Sequence, residues 1–227
     1  TKKKYVLVVG GNGSTTRGDL GEGMSTVWEL HRMGYTVFLL HYRIFVAASN
    51  NAPLQDLKRA VRYITDHAEQ FGVEPEQYAV VGYSSGGQLA GLLASEKYGY
   101  AQENLPKPGA LLLGYPINDF YEGKLLYHFL MDFDEYHWRY YWTNISSVVT
   151  DDYPPVYHWY GKKDLMLFAL NLHEQSPKLE QSLEKHQVPH AYRVFEQPGH
   201  GAATGEGTDA DGWLNDAVAF WEAQTAV

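Results

Sequence analysis

The chain has 227 residues, a formal net charge of −9 at pH 7 and no cysteine. Its length suits a single large domain, its composition of 44% hydrophobic and 20% charged residues is that of a globular protein, and no run of about 18 apolar residues is present that could span a membrane. The negative charge argues against nucleic acid or an anionic membrane as a partner, and the lack of cysteine excludes disulfides, thiolate catalysis and cysteine-based zinc sites.

The N-terminal segment TKKKYVLVVGG enters a strand-like run almost at once. A secretory signal needs an apolar stretch and a cleavage site before the mature chain, and this segment has room for neither. We therefore expect a cytoplasmic location.

Short, apolar, β-branched runs alternate with segments of helical periodicity, which indicates βαβ units and a mostly parallel sheet flanked by helices. Six strands are predicted: Tyr5–Val9, Thr36–His41, Tyr78–Gly82, Ala110–Leu113, Val156–Tyr160 and Ala191–Phe195. Five helices are predicted: Gly23–Met33, Pro53–Phe71, Gly86–Lys97, Pro177–His186 and Gly212–Gln224. Ser176 and Pro177 suit the cap and first turn of the fourth helix.

An aromatic segment interrupts this alternation. Ten of the 27 residues from Asn118 to Asn144 are Phe, Tyr or Trp, whereas aromatic residues make up 15% of the chain. We predict an inserted cap or lid within residues 118–150. Because no repeat or linker divides the sequence, residues 1–227 are predicted to form one domain.

The third predicted strand runs directly into GYSSGG, which places a G-x-S-x-G pattern at a strand-to-helix junction. A nucleophilic serine needs this context, because small residues such as Gly82 and Gly86 let the strand and helix approach closely around a tight turn. We therefore predict Ser84 as the nucleophile. The rival Ser85 lacks a glycine two positions before it, where Tyr83 stands. The alternative is a glycine-rich turn capped by serine.

Ten histidines compete for the role of base. In α/β folds with such a serine, the nucleophile, acid and base follow in that order along the chain, on loops after strands. His200 fits, because it lies after the strand AYRVF in the loop EQPGHGAAT. The others precede the serine, fall in or at the start of strands, or fall on the insertion, on a helix or on the segment leading into one: His31, His41, His67, His128, His137, His158, His173, His186 and His190.

Asp164 follows the strand VYHWY directly and is the predicted acid. From that loop it would accept the imidazole N–H of His200 and orient the ring. Asp151 and Asp152 precede the same strand and are therefore expected at the opposite edge of the sheet. The alternative for Asp164 is a turn aspartate that caps a short helical turn.

The glycine-rich loop after the first strand, Gly10 to Gly13, can direct backbone N–H groups at a developing oxyanion. The predicted donors are Gly11, Asn12 and, from the nucleophile turn, Ser85. Nucleotide binding is not expected, because neither a phosphate-loop motif nor a dinucleotide fingerprint follows the strand.

Six segments resemble the hormone-sensitive-lipase-like and acetyl-xylan-esterase-like α/β hydrolases: VVGGNG, LLHYRIF, PLQDLKRAVRYI, GYSSGGQLA, YGKKDLM and PGHGAA. The resemblance covers nearly the whole chain and implies a single-domain α/β-hydrolase fold with a minimal N-terminus that lacks the first hairpin. The chain departs from the family's HGGG-type loop, since no histidine precedes Gly10 and Asn12 replaces a glycine. The resemblance also implies that Tyr42, Arg43 and Asp56 brace the active-site loop.

These features predict a carboxylesterase without cofactor or metal, acting on a small-molecule ester through an acyl-enzyme. The insertion follows the strand ALLLG, at the sheet edge where ligands bind in open α/β folds, and is expected to cover Ser84. Its aromatic side chains would fill the volume that a long acyl chain needs, so short-acyl esters are expected.

Two other functions stay open. One is a peptidase of the prolyl-oligopeptidase type, although the chain contains no propeller or other gating domain. The other is a non-catalytic hydrolase-fold binding module, which would be expected to have lost a member of the Ser84, Asp164 and His200 set. The sequence also leaves open whether the chain forms a homo-oligomer.

Overall fold

The centre of the molecule is a six-stranded sheet of order β2-β1-β3-β4-β5-β6. A computed structural model describes residues 2–11, 19–44, 47, 51–119, 143–164 and 171–226. The strands are β1 (Tyr5–Val9), β2 (Thr36–Leu39), β3 (Ala79–Tyr83), β4 (Ala110–Gly114), β5 (Val156–Gly161) and β6 (His190–Phe195). All neighbouring strands pair in parallel, which confirms the predicted sheet.

The four central strands are buried along their whole length, whereas the edge strands β2 and β6 are partly exposed. Continuous apolar runs such as YVLVV and ALLLG account for this, because a parallel sheet carries helices on both faces and leaves no face to water. All carboxyl ends of the strands meet at one edge of the sheet.

The helices within the described ranges are α1 (Met24–Arg32), α2 (Ala52–Asp66), α3 (Ala68–Phe71), α4 (Ser85–Leu93), α5 (Leu172–Lys185) and α6 (Trp213–Gln224). A π-helical turn, Asp19–Gly23, leads into α1. Helix α4 packs against β1, β3 and β4 at the middle of the sheet. None of the described helices is both long and apolar enough to cross a membrane.

The predicted start of the fourth helix, Pro177–His186, is wrong. The helix begins at Leu172, so Ser176 and Pro177 are not its cap and first turn, and Pro177 lies inside it. Burial explains the longer helix: Leu172 and Gln175 in its first turn are both fully buried. Their packing outweighs the backbone hydrogen bond that a proline inside a helix cannot donate.

Two other helices are shorter than predicted. The helix predicted over Pro53–Phe71 is divided at His67, whose backbone angles (φ −112°, ψ 18°) depart from the helical range. The helix predicted over Gly86–Lys97 begins one residue earlier, at Ser85, and ends at Leu93.

Most of the predicted cap, residues 120–142, lies outside the described residues. The segment that leads into it is held firmly, because the buried side chain of Gln175 accepts hydrogen bonds from the N–H groups of Asn118 and Asp119, both at 2.9 Å. The Gln175 amide also donates to the Asp119 carbonyl oxygen at 2.8 Å. Helix α5 thereby fixes the point at which the segment leaves the sheet.

Candidate active site

Ser84 occupies the sharp turn between β3 and α4, at the carboxyl edge of the sheet. Its backbone angles are φ +52° and ψ −122°, a conformation that costs a non-glycine residue about 1–3 kcal/mol. Hydrogen bonds enforce this turn: the Ser84 N–H donates to the Gly114 carbonyl oxygen at 3.2 Å, and the Ser84 carbonyl oxygen accepts from the Ile117 N–H at 3.0 Å. The strained turn presents the hydroxyl at the end of the strand.

Glycines flank this turn because no side chain would fit there. A Cβ on Gly82 would lie 2.8 Å from both the Gly86 carbonyl oxygen and the Gly87 Cα. A Cβ on Gly86 would collide with the carbonyl oxygens of Val9 and Gly10 at the end of β1. The two glycines of the G-x-S-x-G pattern therefore allow β3, α4 and the end of β1 to meet closely around Ser84.

The structure brings Ser84, His200 and Asp164 together from three loops. His200 Nε2 lies 2.8 Å from Ser84 Oγ, and His200 Nδ1 lies 2.7 Å from Asp164 Oδ2. The Asp164 side chain is 1% exposed and the His200 side chain 19%. An Nδ1–H that donates to the carboxylate leaves Nε2 as an acceptor for the serine hydroxyl. This arrangement can remove a proton from Ser84.

The rival residues have other partners. Asp151 lies 2.7 Å from His186, and Asp152 pairs with Lys107 at 2.6 Å. Ser85 is the first residue of α4 and is fully buried.

The predicted oxyanion donors are only partly described. The Gly11 N–H donates a hydrogen bond to Glu22 Oε2 at 2.7 Å, so in this structure it is engaged by a side chain of the protein itself. Asn12 lies outside the described residues. Ser85 stands at the N-terminus of α4, next to Ser84, where a helix offers backbone N–H groups and partial positive charge.

Two functional candidates, Glu22 and Tyr115, were missed by the sequence analysis. Glu22 is only 6% exposed, and besides the Gly11 N–H it accepts the Tyr115 hydroxyl at 2.8 Å. The Tyr115 oxygen in turn accepts the Ala203 N–H at 2.9 Å, and its ring centroid lies 4.9 Å from that of His200. No motif marks either residue. The one local signal is Gly114 before Tyr115 at the end of a strand, a common place for functional side chains.

Burial governs the ionisation of this pair. It raises the pKa of Glu22 above its usual value, although hydrogen bonds from Gly11 and Tyr115 and the nearby His200 act in the opposite direction. Burial also raises the pKa of the Tyr115 hydroxyl well above its usual value. The hydroxyl therefore keeps its proton at neutral pH and remains a donor to Glu22.

The residues implied as braces make the expected contacts. The Tyr42 hydroxyl donates to the carbonyl oxygens of Gly10 and Gly11, at 2.8 and 2.9 Å. Arg43 pairs with Asp56 through Nη2 and Oδ1 at 2.7 Å, which ties the segment after β2 to α2. Tyr42 thus holds the backbone of Gly10 and Gly11 directly after β1.

Within the described ranges, a group of side chains that could ligate a metal lies away from Ser84, on α5 and β6. Glu180, Glu184 and His190 each place a ligand atom within 4.8 Å of the others. The Glu180 carboxylate already pairs with His158 at 3.0 Å and with His190 at 3.2 Å. Both carboxylate oxygens of Glu180 therefore already have a histidine partner.

Several known proteins are similar to this chain. Endo-1,4-beta-xylanase B of Butyrivibrio fibrisolvens is 24% identical over 204 residues, which cover 85% of this chain and 31% of that protein. Ethyl acetate hydrolase of Pseudomonas putida is 31% identical over 103 residues, which cover 45% of this chain and 32% of that protein. The chain thus spans about a third of the length of these curated relatives.

Solved structures share the fold. The acetyl ester-xyloside bifunctional hydrolase of Caldicellulosiruptor lactoaceticus superposes with a TM-score of 0.80 at 24% identity, covering 98% of this chain and 84% of the other. MGS-M1, an alpha/beta hydrolase enzyme from a Medee basin deep-sea metagenome, superposes with a TM-score of 0.76 at 24% identity, covering 100% and 86%. The chain has the α/β-hydrolase fold. The BD-FAE family model matches residues 1–125, more than half of the sequence, and the chain therefore belongs to the BD-FAE family.

Proposed function

We propose that the protein is a serine esterase that hydrolyses short-acyl carboxylic esters, with Ser84 as nucleophile, His200 as base and Asp164 as the residue that orients the base. The observation that carries the proposal is the unbroken hydrogen-bonded series from Asp164 through His200 to Ser84, with distances of 2.7 and 2.8 Å. A binding module without catalytic activity would not require Ser84, His200 and Asp164 to be hydrogen-bonded in series at a strained turn.

In this proposal ester hydrolysis proceeds in two halves, acylation and deacylation of Ser84. Ser84 Oγ attacks the acyl carbonyl carbon while His200 Nε2 takes the hydroxyl proton, and Asp164 stabilises the imidazolium that forms. The tetrahedral intermediate collapses when His200 returns the proton to the leaving alcohol, which leaves an acyl-enzyme on Ser84. A water molecule, deprotonated by the same imidazole, then attacks the acyl carbonyl carbon, and His200 returns that proton to Ser84 Oγ as the acid is released. The N-terminus of α4 stabilises negative charge on the former carbonyl oxygen in both halves of the reaction.

The substrate class rests on the relatives. Their names specify ethyl acetate for one curated protein and an acetyl ester for one solved structure. Both esters carry a two-carbon acyl group, which agrees with the small acyl pocket expected from the aromatic insertion. We therefore propose acetyl esters of small alcohols or sugars as the substrates.

A hydrolysis screen tests the proposal directly. Purified protein is assayed against p-nitrophenyl acetate, an acetylated xyloside and an aminoacyl p-nitroanilide, with Ser84→Ala as the matched control. We expect ester hydrolysis by the parent and none above background by the variant. Cleavage of the anilide in preference to both esters would favour a peptidase, and equal rates for parent and variant would refute the proposed nucleophile.

A further inference from the structure

Glu22 is a buried charged residue to which the proposed mechanism assigns no role. It lies in the turn Asp19–Gly23 before α1, with 6% of its surface exposed. A buried carboxylate is costly unless its oxygens are hydrogen-bonded, and both oxygens of Glu22 are: Oε2 accepts the Gly11 N–H at 2.7 Å, and Oε1 accepts the Tyr115 hydroxyl at 2.8 Å. The two donors thus offset part of the cost of burying this side chain.

These bonds join three loops at the carboxyl edge of the sheet. Gly11 follows β1 and Tyr115 follows β4, whereas Ala203, which donates its N–H to the Tyr115 oxygen at 2.9 Å, lies in the loop that carries His200. The Glu22 carboxylate is thus two hydrogen bonds away from the backbone of the histidine loop.

The network also lies against the reacting groups. A Cβ added to Gly11 would lie 2.6 Å from Ser84 Cβ and 3.2 Å from Glu22 Oε2, so the loop held by Glu22 packs directly on the nucleophile. On the other side, the Tyr115 ring packs on the His200 imidazole, with centroids 4.9 Å apart. A shift of Glu22 would therefore be transmitted to both Ser84 and His200.

Tyr115 shows that the network holds an unfavourable backbone conformation. Its φ is +38°, in the left-handed region that a residue with a side chain seldom adopts. The Tyr115 N–H donates to the Trp159 carbonyl oxygen at 2.6 Å, and its hydroxyl is fixed at the far end by Glu22 and Ala203. Strain of this kind persists where the surroundings enforce it, and it clusters at functional sites.

We infer that Glu22 is a positioning residue of the active site. Its side chain holds the loop after β1 and the histidine loop in their places relative to Ser84. The inference rests on the proposed esterase function. Glu22 acts through Gly11 and Tyr115 and does not touch the substrate. Gly11 then serves as the anchor of its loop, and its N–H is not a donor to the oxyanion.

Glu22→Gln tests the inference with little change of shape. Two donors, the Gly11 N–H and the Tyr115 O–H, point at the two oxygens, and a glutamine amide has one oxygen and an NH₂ group that cannot accept. Tyr115→Phe breaks the link to Ala203 from the other end and keeps the test available if Glu22→Gln does not fold. Glu103→Gln is the matched control, since Glu103 is a half-buried glutamate between α4 and β4 whose two oxygens are also both partnered, by Lys58 at 2.6 Å and by Arg62 at 3.5 Å.

We expect Glu22→Gln and Tyr115→Phe each to lower kcat per active site by about 10- to 100-fold with KM changed by less than about threefold, because misplacement of reacting groups by about 1 Å costs such factors. The double variant should lose no more than the more damaging single variant, since the two residues act as one unit. Glu103→Gln should match the parent.

The inhibition constant of ethylboronic acid, which forms a tetrahedral anionic adduct with serine, separates positioning from stability. It should rise by the same factor as kcat/KM falls, because both report the stabilisation of the tetrahedral state. A merely structural role would reduce the fraction of sites titrated by a fluorophosphonate but leave kcat per site and the boronate constant unchanged. That result, or strictly additive losses in the double variant, would overturn the inference.

Failure of the proposed function gives a different result. If the parent hydrolysed no ester, the esterase proposal would fall, and the rate at which the fluorophosphonate labels Ser84 would then decide the role of Glu22. A slower rate in Glu22→Gln than in the parent and Glu103→Gln supports positioning, and equal rates in all three overturn it.

Discussion

The Nε2 atom of His200 lies 2.8 Å from the Ser84 hydroxyl oxygen, although the two residues are 116 positions apart in the chain. The sheet order explains how they meet. Ser84 follows β3 and His200 follows β6, and β4 and β5 lie between these strands, so the histidine loop must reach back across two strand ends. Tyr115, at the end of β4, lies under that loop and contacts the imidazole.

Replacement of the nucleophile should abolish turnover. Ser84→Ala removes the oxygen that attacks the ester, and we expect kcat for p-nitrophenyl acetate to fall by about 10⁴-fold or more, as losses of triad members do. The melting temperature should not fall, because alanine removes only the hydroxyl and keeps the rest of the packing around the turn. The measurement is steady-state hydrolysis together with thermal unfolding.

Ser85→Ala is the control for this substitution. Alanine retains the backbone N–H at the start of α4, so activity should decrease only slightly. An inactive Ser85→Ala beside an active Ser84→Ala would show that the nucleophile had been placed one residue too early.

Asp164→Asn should keep the fold and lower kcat by roughly 10³- to 10⁴-fold, because an amide favours the wrong tautomer of the histidine. The side chain is buried and 2.7 Å from His200 Nδ1, so it has little freedom to adapt. Asp152→Asn is the control: Asp152 pairs with Lys107 before β5, and its loss should leave the rate unchanged. If Asp164→Asn were as active as the parent, another residue would have to orient His200.

The strands and the three proposed catalytic residues could be predicted because their signals are local. The YVLVV strand is apolar at every position, GYSSGG and YGKKD begin within the last residues of a buried strand, and PGHG follows β6 after Glu196 and Gln197. In a parallel sheet, residues after strands meet at one edge whatever their separation in sequence. A reader of the sequence therefore needs only the strand ends to place Ser84, Asp164 and His200 together.

Glu22 and the start of α5 could not be predicted for the opposite reason. Glu22 stands in GDLGEG, which suggests a surface turn, and its partner Tyr115 is 93 positions away. Helix α5 starts at Leu172 because Gln175 is buried against the backbone of Asn118 and Asp119, a contact that local helix signals such as Ser176-Pro177 do not contain. In both cases the deciding interaction joins distant parts of the chain.

His158 should make the stability of the protein depend on pH. Its ring is fully buried and stacks on Tyr192, and burial lowers its pKa below the usual 6.5, while the hydrogen bond and charge of Glu180 oppose this and His190 adds to it. The Nδ1 atom has no partner among the described residues. Below pH 6.5 the folded protein thus binds fewer protons than the unfolded chain. His158 therefore does not lower the free energy of unfolding above pH 6.5, and this free energy falls as the pH is lowered through the depressed pKa.

His158→Gln, which retains a donor for Glu180 but does not titrate, should therefore show a shallower loss of stability between pH 7.5 and pH 5. Urea unfolding at several pH values measures this difference. His31→Gln, a change of an exposed histidine on α1, should follow the parent curve. If the parent and His158→Gln curves were parallel over this range, protonation of His158 would not contribute to acid destabilisation.

The last prediction concerns acyl-chain length. The segment predicted as the insertion follows β4 and is rich in Tyr and Trp, residue types whose apolar faces suit a sugar or aryl alcohol, and we proposed above that it limits the acyl group to a short chain. We expect kcat/KM along a p-nitrophenyl ester series from two to twelve carbons to be highest between acetyl and butyryl. Trp138→Ala and Trp142→Ala should shift the optimum towards longer chains, whereas Trp28→Ala, on the exposed face of α1, should not.

Highest efficiency of the parent at ten or twelve carbons would contradict the short-acyl proposal. An unchanged profile in both insertion variants would instead show that these two tryptophans do not line the acyl pocket. Any chain-length preference would then have to come from residues at the carboxyl edge of the sheet.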